Sequence, residues 1–328
     1  MLWWKLLTST LVNEGFTVNP YDSCVANKIM PDGTQCTVCW YVDDLKISHV
    51  LKSVVEDIVK KIEERYGKMT ITRGNKHTYI GMDIEFTGNG EVQILMKDYI
   101  VEALEMFPED CTGHVTTPAA NLLFTVDPSA TRLSEEKRTL LHSITAKLLF
   151  VSKRARPDSQ VPISFLTGRV TKADTDDWKK LKRLLMYLHG TIDLPLTLSI
   201  DDLCVVKTWV DAAFATHHDM RSHTGGYITM GKGALYASSK RQKLNTKSST
   251  EAELVGAGDF LPQTIWTVNF IEAQGYKVSR SEYHQDNQSA MKMEKNGRQS
   301  AGPRSRHINI RYFFIKDKID KDEINLMY

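Results

Sequence analysis

CVVKTWVDAAFA, residues 204–215, reads as a strand that carries an acid, Asp211, to its exit. GGYITM (225–230) and ALYASSK (234–240) read as two further strands joined by Gly231-Lys232-Gly233. SSTEAELVGAGDFLPQTIWTVNFIEAQG (248–275) then reads as a helix. Ser248 and Glu251 make an S-x-x-E capping box at its start, Gly275 stands at its end, and Pro262 is expected to kink it. Glu253 lies in the first turns of that helix. YHQD (283–286) is a short strand ending on Asp286, NQSAMKMEK (287–295) and RHINIRYFFIKDKI (306–319) are helices, and EINLMY (323–328) is a last strand.

Asp211, Glu253 and Asp286 therefore recur at the ends and starts of elements. Phosphodiester chemistry needs such a set: carboxylates that hold two Mg²⁺ about 4 Å apart, activating water and stabilising the leaving oxygen. A lone Asp at any of these places reads more readily as a helix cap or a solvated turn than as a metal ligand. The specificity lies in the three acids taken together, in this order of elements.

Working back toward the N-terminus, TLLHSITAKLLFVSK (139–153) and DDWKKLKRLLMYLHG (176–190) are amphipathic helices, and Pro118, Pro128 and Pro157 mark breaks. Before them, HTYIGMDIEF (77–86) and EVQILM (91–96) read as strands separated by Gly88-Asn89-Gly90, followed by a helix near 97–107. LKSVVEDIVKKIEERYG (51–67) has a helical apolar face, and Gly67 is placed to end it. SCVANKIM (23–30) and TQCTVCWYV (34–42) flank Pro31-Asp32-Gly33 as a hairpin. LKISHV (45–50) returns after Asp43 and Asp44, which places both acids on the tip of a second hairpin. The first residues, MLWWKLLTSTLVNEG, repeat Trp3, Leu7 and Leu11 at helical spacing and read as an amphipathic helix rather than a secretion signal.

The bulk composition is permissive. The chain has 328 residues, 41% hydrophobic content and a formal net charge of +2, enough to bury a core in two or three domains and too balanced to argue for nucleic acid by itself. Five cysteines, an odd number, argue against a disulfide scaffold and for a reducing compartment. No apolar run reaches the roughly 20 residues that span a bilayer.

WVDAAFA, KSSTEAELVGA, HQDNQSA and RSRHINIRYFFIKD resemble the ribonuclease H domain of copia-type LTR retrotransposon Pol polyproteins. YVDDLKI followed by YIGMDIEF resembles the reverse-transcriptase palm of the same family, and RARPD (154–158) with KKLKRLLMYLHGT (179–191) resembles the connection between the two. The resemblance runs over essentially the whole chain, with the motifs in the family's order. It implies an α/β (α+β) architecture: the C-terminal part of a palm over 1–110, a helical thumb or connection over 111–200, and a ribonuclease H-like mixed five-stranded sheet with flanking helices over 201–328. It implies Mg²⁺-dependent hydrolysis of the RNA strand of RNA–DNA hybrids, with Mn²⁺ as a possible substitute, and RNA selected through its 2′-hydroxyls. Asp211, Glu253 and Asp286 would be metal ligands and catalytic residues. Glu253 is chosen over Glu251 because the cap occupies Glu251. Asp43, with Asp44 as its weaker neighbour, would be a metal ligand of the polymerase site. Other parts of the Pol polyprotein are implied partners, and the implied location is cytoplasmic, in virus-like particles, or nuclear.

Three departures from the family pattern set further expectations. Where the family has a HID-type motif, this chain has His307-Ile308-Asn309, so Asn309 would offer a neutral, weaker oxygen at a fourth catalytic position. Only about 40 residues precede Asp43, and Asp22 and Asp32 are read in a loop and a turn, so the polymerase half is expected to be truncated and inactive. The chain also stops at Tyr328, where the family continues with another helical segment. Against the nuclease stand two other readings: a decayed or co-opted protein that binds nucleic acid without cutting it, and a structural subunit of another polymerase chain. Lys240, Arg241, Lys243 and Lys247, with Arg304, Arg306 and Arg311, read either as exposed charged loops or as phosphate contacts. His307 reads either as an aid to product release or as a surface residue. Cys36-x-x-Cys39 reads as core packing, since residues three apart on a strand face opposite ways. His217, His218 and His223 are read as solvated residues of a polar loop, the alternative being a metal contact.

Overall fold

The computed structural model describes residues 2–297 and 309–328, in a mixed α+β fold. Helix α1 (Leu2–Asn13) leads into an antiparallel sheet of β1 (Thr17–Asn19), β2 (Asp22–Ile29), β3 (Gln35–Tyr41) and β4 (Asp44–Ser48), in that spatial order, followed by α2 (Lys52–Tyr66). Leu7 and Leu11 of α1 and Ile58 and Ile62 of α2 bury against Ala26, Cys36, Val38 and Trp40 of the sheet. The two expected hairpins are present. Asp22 opens β2 rather than lying in a loop, its Oδ1 accepting from the Cys24 backbone N–H at 2.8 Å.

The run HTYIGMDIEF is not one strand. It splits into β5 (Lys76–Tyr79) and β6 (Met82–Phe86), which pair antiparallel about a two-residue turn. Ile80 and Gly81 both take left-handed backbone, φ +52° and +70°, as a tight hairpin of right-handed twist demands. A Cβ at position 81 would also stand 2.7 Å from the Tyr99 ring. An isoleucine in the left-handed region is costly, which is why its pattern reads as continuous strand. β7 (Val92–Leu95) follows, then α3 (Lys97–Met106), α4 (Glu135–Ser152), α5 (Gln160–Thr167) and α6 (Thr175–Gly190). β8 (Leu196–Leu198) returns to pair with β7. Their common core draws on Ile94, Met96 and Ile100 as well as Leu141, Leu148, Leu181 and Leu188, so it spans both sides of residue 110.

The last sheet contains β9 (Val205–Ala213), β10 (His223–Thr229), β11 (Tyr236–Arg241), β12 (Arg280–His284) and β13 (Asn325–Met327). Helix α7 (Ser249–Ala273) precedes β12, while α8 (Gln288–Asn296) and α9 (Asn309–Asp320) precede β13. The strand order is β11-β10-β9-β12-β13. β10 pairs antiparallel with both β9 and β11, and β12 lies parallel to both β9 and β13. Val206, Val210, Ile228 and Tyr283 pack beneath Ala257, Phe260 and Leu261 of α7, which continues as one helix through Pro262. The C-terminal end of α7 reaches the first sheet: Trp266 Nε1 donates to the Tyr21 carbonyl at 3.2 Å, and Asn19 Nδ2 to Gln274 Oε1 at 3.1 Å. Among the described residues, no helix is long and apolar enough to cross a membrane.

The histidine reading is corrected. His217 and His223 are each only 6% exposed, and His223 belongs to β10 rather than to a loop. His217 Nε2 meets His223 Nδ1 at 3.0 Å, His223 Nε2 meets Ser239 Oγ at 2.6 Å, and the Phe124 ring lies against both imidazoles. Burial pushes both pKa values down to about 4, so the pair is neutral and packs as core. His218 alone is exposed.

Candidate metal centre

Three chain segments, far apart in sequence, deliver one acid each. Asp211 lies in β9 opposite Gly225 of β10, on the face away from buried Val210 and Ala212. Glu253 projects from the first turns of α7, whose start is set by Ser248: its Oγ accepts from the Glu251 backbone N–H at 3.2 Å. Glu251 completes the cap one residue earlier than the box predicts, its Oε2 accepting from the Lys247 N–H at 2.8 Å. Asp286 follows β12 by two residues, in the turn before α8.

Close approach of α7 to the sheet makes the convergence possible. A Cβ at Gly256 would sit 3.1 Å from Thr224 Oγ1, and one at Gly226 would sit 2.7 Å from the Phe260 ring. Gln242 latches the first turn of α7 to β10: its Nε2 donates to the Ala252 carbonyl at 2.8 Å and to Thr224 Oγ1 at 2.9 Å. Farther along, Tyr283 Oη donates to the Ala257 carbonyl at 2.7 Å.

One ligand oxygen from each of Asp211, Glu253 and Asp286 lies within 4.8 Å of the others. The two aspartates are exposed, and Glu253 is buried behind them at 5% exposure. Burial, then the charge of Asp211 and more weakly that of Asp286, push the Glu253 carboxyl up to about 8; the Ala212 amide and the Gln285 side chain pull the other way. Glu253 Oε2 is enclosed and has no hydrogen-bond partner among the described residues. A buried carboxylate gathered with two more carboxylates is a poor place for an unneutralised charge and a good one for a cation. An all-carboxylate donor set suits a hard divalent ion such as Mg²⁺, or Mn²⁺.

The remaining expected site residues are placed elsewhere. Asp43 forms the β3–β4 turn with Val42 (φ +56°), and Asp44 opens β4; both are exposed. Among the described residues they do not join any group of three possible ligands. Asn309 is the first residue of α9, and its side chain lies outside the described residues, as do Arg304, Arg306 and His307 entirely. Lys240, Arg241, Lys243 and Lys247 are all exposed. Arg241 is engaged with Asp219 at 3.1 Å, and Arg311 with Asp259 at 3.1 Å. Lys240, Lys243 and Arg311 share a cleft of about 420 Å³ beside α7. Cys36 is buried and Cys39 half-buried, both as free thiols.

An aromatic row beside the acids was not anticipated. Trp209 stacks between Tyr227 and His284, with ring centroids 5.0 and 4.5 Å away. These rings floor a cleft of about 400 Å³ that also holds Asp211 and Asp286. The signal was available in K-T-W-V-D: Trp209 is two residues from Asp211 and so shares its face of the strand.

No family model matches the chain. It is 25% identical over 332 residues to the retrovirus-related Pol polyprotein from transposon TNT 1-94 of Nicotiana tabacum, a match over 99% of this chain and 24% of that protein. It thus spans about a quarter of that polyprotein's length. A transposon Ty5-1 protein of Saccharomyces cerevisiae is 24% identical over 261 residues, 79% of this chain and 83% of its own length. Among solved structures, a foamy viral protease-reverse transcriptase in complex with RNA/DNA hybrid aligns over 100% of this chain and 37% of that one, with TM-score 0.58 at 14% identity, a likeness of fold. The chain is thus similar to a region of copia-type retrotransposon Pol polyproteins, at about 24% identity.

Proposed function

We propose that the unit over 201–328 is a ribonuclease H-like nuclease that hydrolyses the RNA strand of RNA–DNA hybrids with Mg²⁺ or Mn²⁺. Residues 1–110 and 111–200 would be the C-terminal part of a reverse-transcriptase palm and its connection. The observation that carries the reading is the convergence of Asp211, Glu253 and Asp286 within 4.8 Å, with Glu253 buried and one of its oxygens without a hydrogen-bond partner among the described residues. Bound there, a divalent cation would activate water and offset the charge that develops on the phosphodiester oxygens. Asp211 and Asp286 face solvent at the cleft, where substrate arrives, and Glu253 closes the site from behind. The Trp209 row excludes water from one wall. Exposed Lys240 and Lys243 offer charge to flanking phosphates, contacts that weaken with salt. The solved relative's RNA/DNA hybrid suggests the substrate class. Asn309 enters as a fourth position by resemblance only.

The test is cleavage of a labelled RNA–DNA hybrid by the purified chain with Mg²⁺. Cleavage that is absent in wild type, or present and equal in Asp211→Asn, would remove the nuclease reading. Metal-independent binding of the same hybrid would then favour the nucleic-acid-binding alternative.

A further inference from the structure

We propose that the cleft between α6 and the segment joining α3 to α4 binds a small organic anion, a molecule with an apolar body and one acidic group. The inference goes beyond the nuclease reading and uses none of its residues.

α3 ends at Met106, α4 begins at Glu135, and the chain between them forms no helix or strand. So long a connection is uncommon in a packed domain, and an ordered one usually serves binding. This one is anchored along its length. Leu123 is buried, and the Phe124 ring meets Phe165 edge to face. From α6, Lys180 Nζ donates to the Thr125 carbonyl at 2.5 Å and Arg183 Nη2 to Thr117 Oγ1 at 2.9 Å. The Thr175 N–H donates to the Thr131 carbonyl at 2.9 Å. The segment therefore stands as a fixed wall beside the helix.

Between wall and helix lies a cleft of about 370 Å³. That is the size of a small-molecule site, and it is too small for a folded partner. Pro118, Ala119, Leu122 and Leu123 supply its apolar lining. Leu122 is 72% exposed, so a ligand that covered it would gain by removing that surface from water.

The charges around the cleft favour an anion. Its two acids are already engaged: Asp176 pairs with Lys180 at 2.8 Å, and Asp127 Oδ1 accepts from the Ser129 N–H at 2.8 Å and from its hydroxyl at 2.6 Å. Ser129 first, and Lys179 last, hold the Asp127 carboxyl below its ordinary range. Lys179 and Arg183 also line the cleft, and neither closes an ion pair among the described residues. Arg183 Nε is enclosed and has no hydrogen-bond partner among them. An enclosed donor left unused is costly, and a charge-assisted bond to an acidic group is the strong way to use it. An apolar wall beside two uncommitted cations selects an amphiphilic anion over a neutral or cationic molecule.

The experiment titrates the full chain with anilinonaphthalene sulfonate, an aromatic body carrying one sulfonate, and with phenylnaphthylamine, a like body without the charge. Probe fluorescence reports binding, and thermal unfolding confirms that each variant is native. Wild type is expected to show one saturable site that prefers the sulfonate by at least about tenfold. Lys179→Glu should weaken the sulfonate about tenfold and the neutral probe by less than about twofold. Leu122→Asp should weaken both probes about tenfold. Both residues are exposed, so both variants should melt within a few degrees of wild type. Arg183→Gln should behave as Lys179→Glu does; if it melts early, Lys179→Glu alone decides the charge. The proposal is overturned if native wild type shows no saturable binding, or if the two probes bind equally. It is also overturned if Leu122→Asp changes nothing, or if binding is lost instead in Tyr227→Ala, which would place the probe on the aromatic row. Loss of hybrid cleavage in Asp211→Asn should leave probe binding unchanged, so the two readings fail separately.

Discussion

Two places in this molecule put adjacent or facing acids at a strand end, and their environments differ. At the β3–β4 tip, Asp43 stands exposed in a two-residue turn and Asp44 exposed at the start of β4. At β9, Asp211 is exposed too, but α7 crosses the sheet and drives Glu253 in behind it, and the turn after β12 adds Asp286. Solvent screens the first pair, and it needs nothing more. The second set traps a buried carboxylate beside two others, with one of its oxygens unpartnered among the described residues, and that crowding of charge calls for a cation. An acidic pair in a sequence thus becomes a candidate metal site only where a second element removes one acid from water.

The largest effect that could break this comparison is on catalysis. Asp211→Asn or Glu253→Gln is expected to lower hybrid cleavage by at least about 100-fold, roughly 3 kcal/mol of transition-state stabilisation. Measured rates within a few-fold of wild type would erase the distinction between the two acid sets.

A second contrast sharpens it. Glu294 of α8 is 0% exposed; among the described residues both its carboxylate oxygens lack partners, and no acid group of the kind around Glu253 surrounds it. Burial pushes its pKa up to about 7, from 4.5 for the free side chain. The folded state therefore holds this proton more tightly than the unfolded chain. The resulting stability is complete below the unfolded pKa and is lost as pH rises through about 7. Glu294→Gln should stabilise the protein at pH 8, by up to about 3 kcal/mol, and have little effect near pH 4. Urea midpoints at the two pH values measure this; equal shifts at both would mean that burial of the charge is not the cause. Glu253 should be relieved by a cation, Glu294 by a proton.

Next in size is the effect of metal on stability. Divalent ion at about 100 times its dissociation constant should add about 2.7 kcal/mol. Asp43→Asn should keep that gain and Glu253→Gln should lose it, as read from unfolding midpoints with and without Mn²⁺. A gain that disappears in Asp43→Asn would place the ion at the hairpin tip.

The smallest expected effects are nulls. Asp43→Asn should change hybrid cleavage by less than about twofold, since Asp43 gathers with no third ligand among the described residues. Primer extension by the chain should be undetectable. Extension that vanishes in Asp43→Asn would restore the tip as a working site.

Local pattern was enough for most elements. The α2 stripe ending at Gly67, the hairpin about Pro31-Asp32-Gly33 and the strand–helix order after residue 204 each follow from spacing and turn residues. The β5–β6 turn escaped because a β-branched Ile80 occupies a backbone region that such residues rarely enter, and the packing of Tyr99 over Gly81 is visible only in the tertiary structure. The histidines escaped because polar neighbours in sequence disguised a site that Phe124, distant in the chain, makes dry.

For the candidate site, the sequence by itself determined which acids were available and on which elements they ride, because residue type and periodicity are local properties. Tertiary structure alone decided which acids meet. Asp211 and Glu253 are joined by the glycine-permitted contact of α7 with β9 and β10, and Asp286 by parallel pairing of β12 with β9. Whether a carboxylate is charged, paired or hungry for a cation depends on burial and on neighbours tens of residues away. No short stretch of chain encodes that.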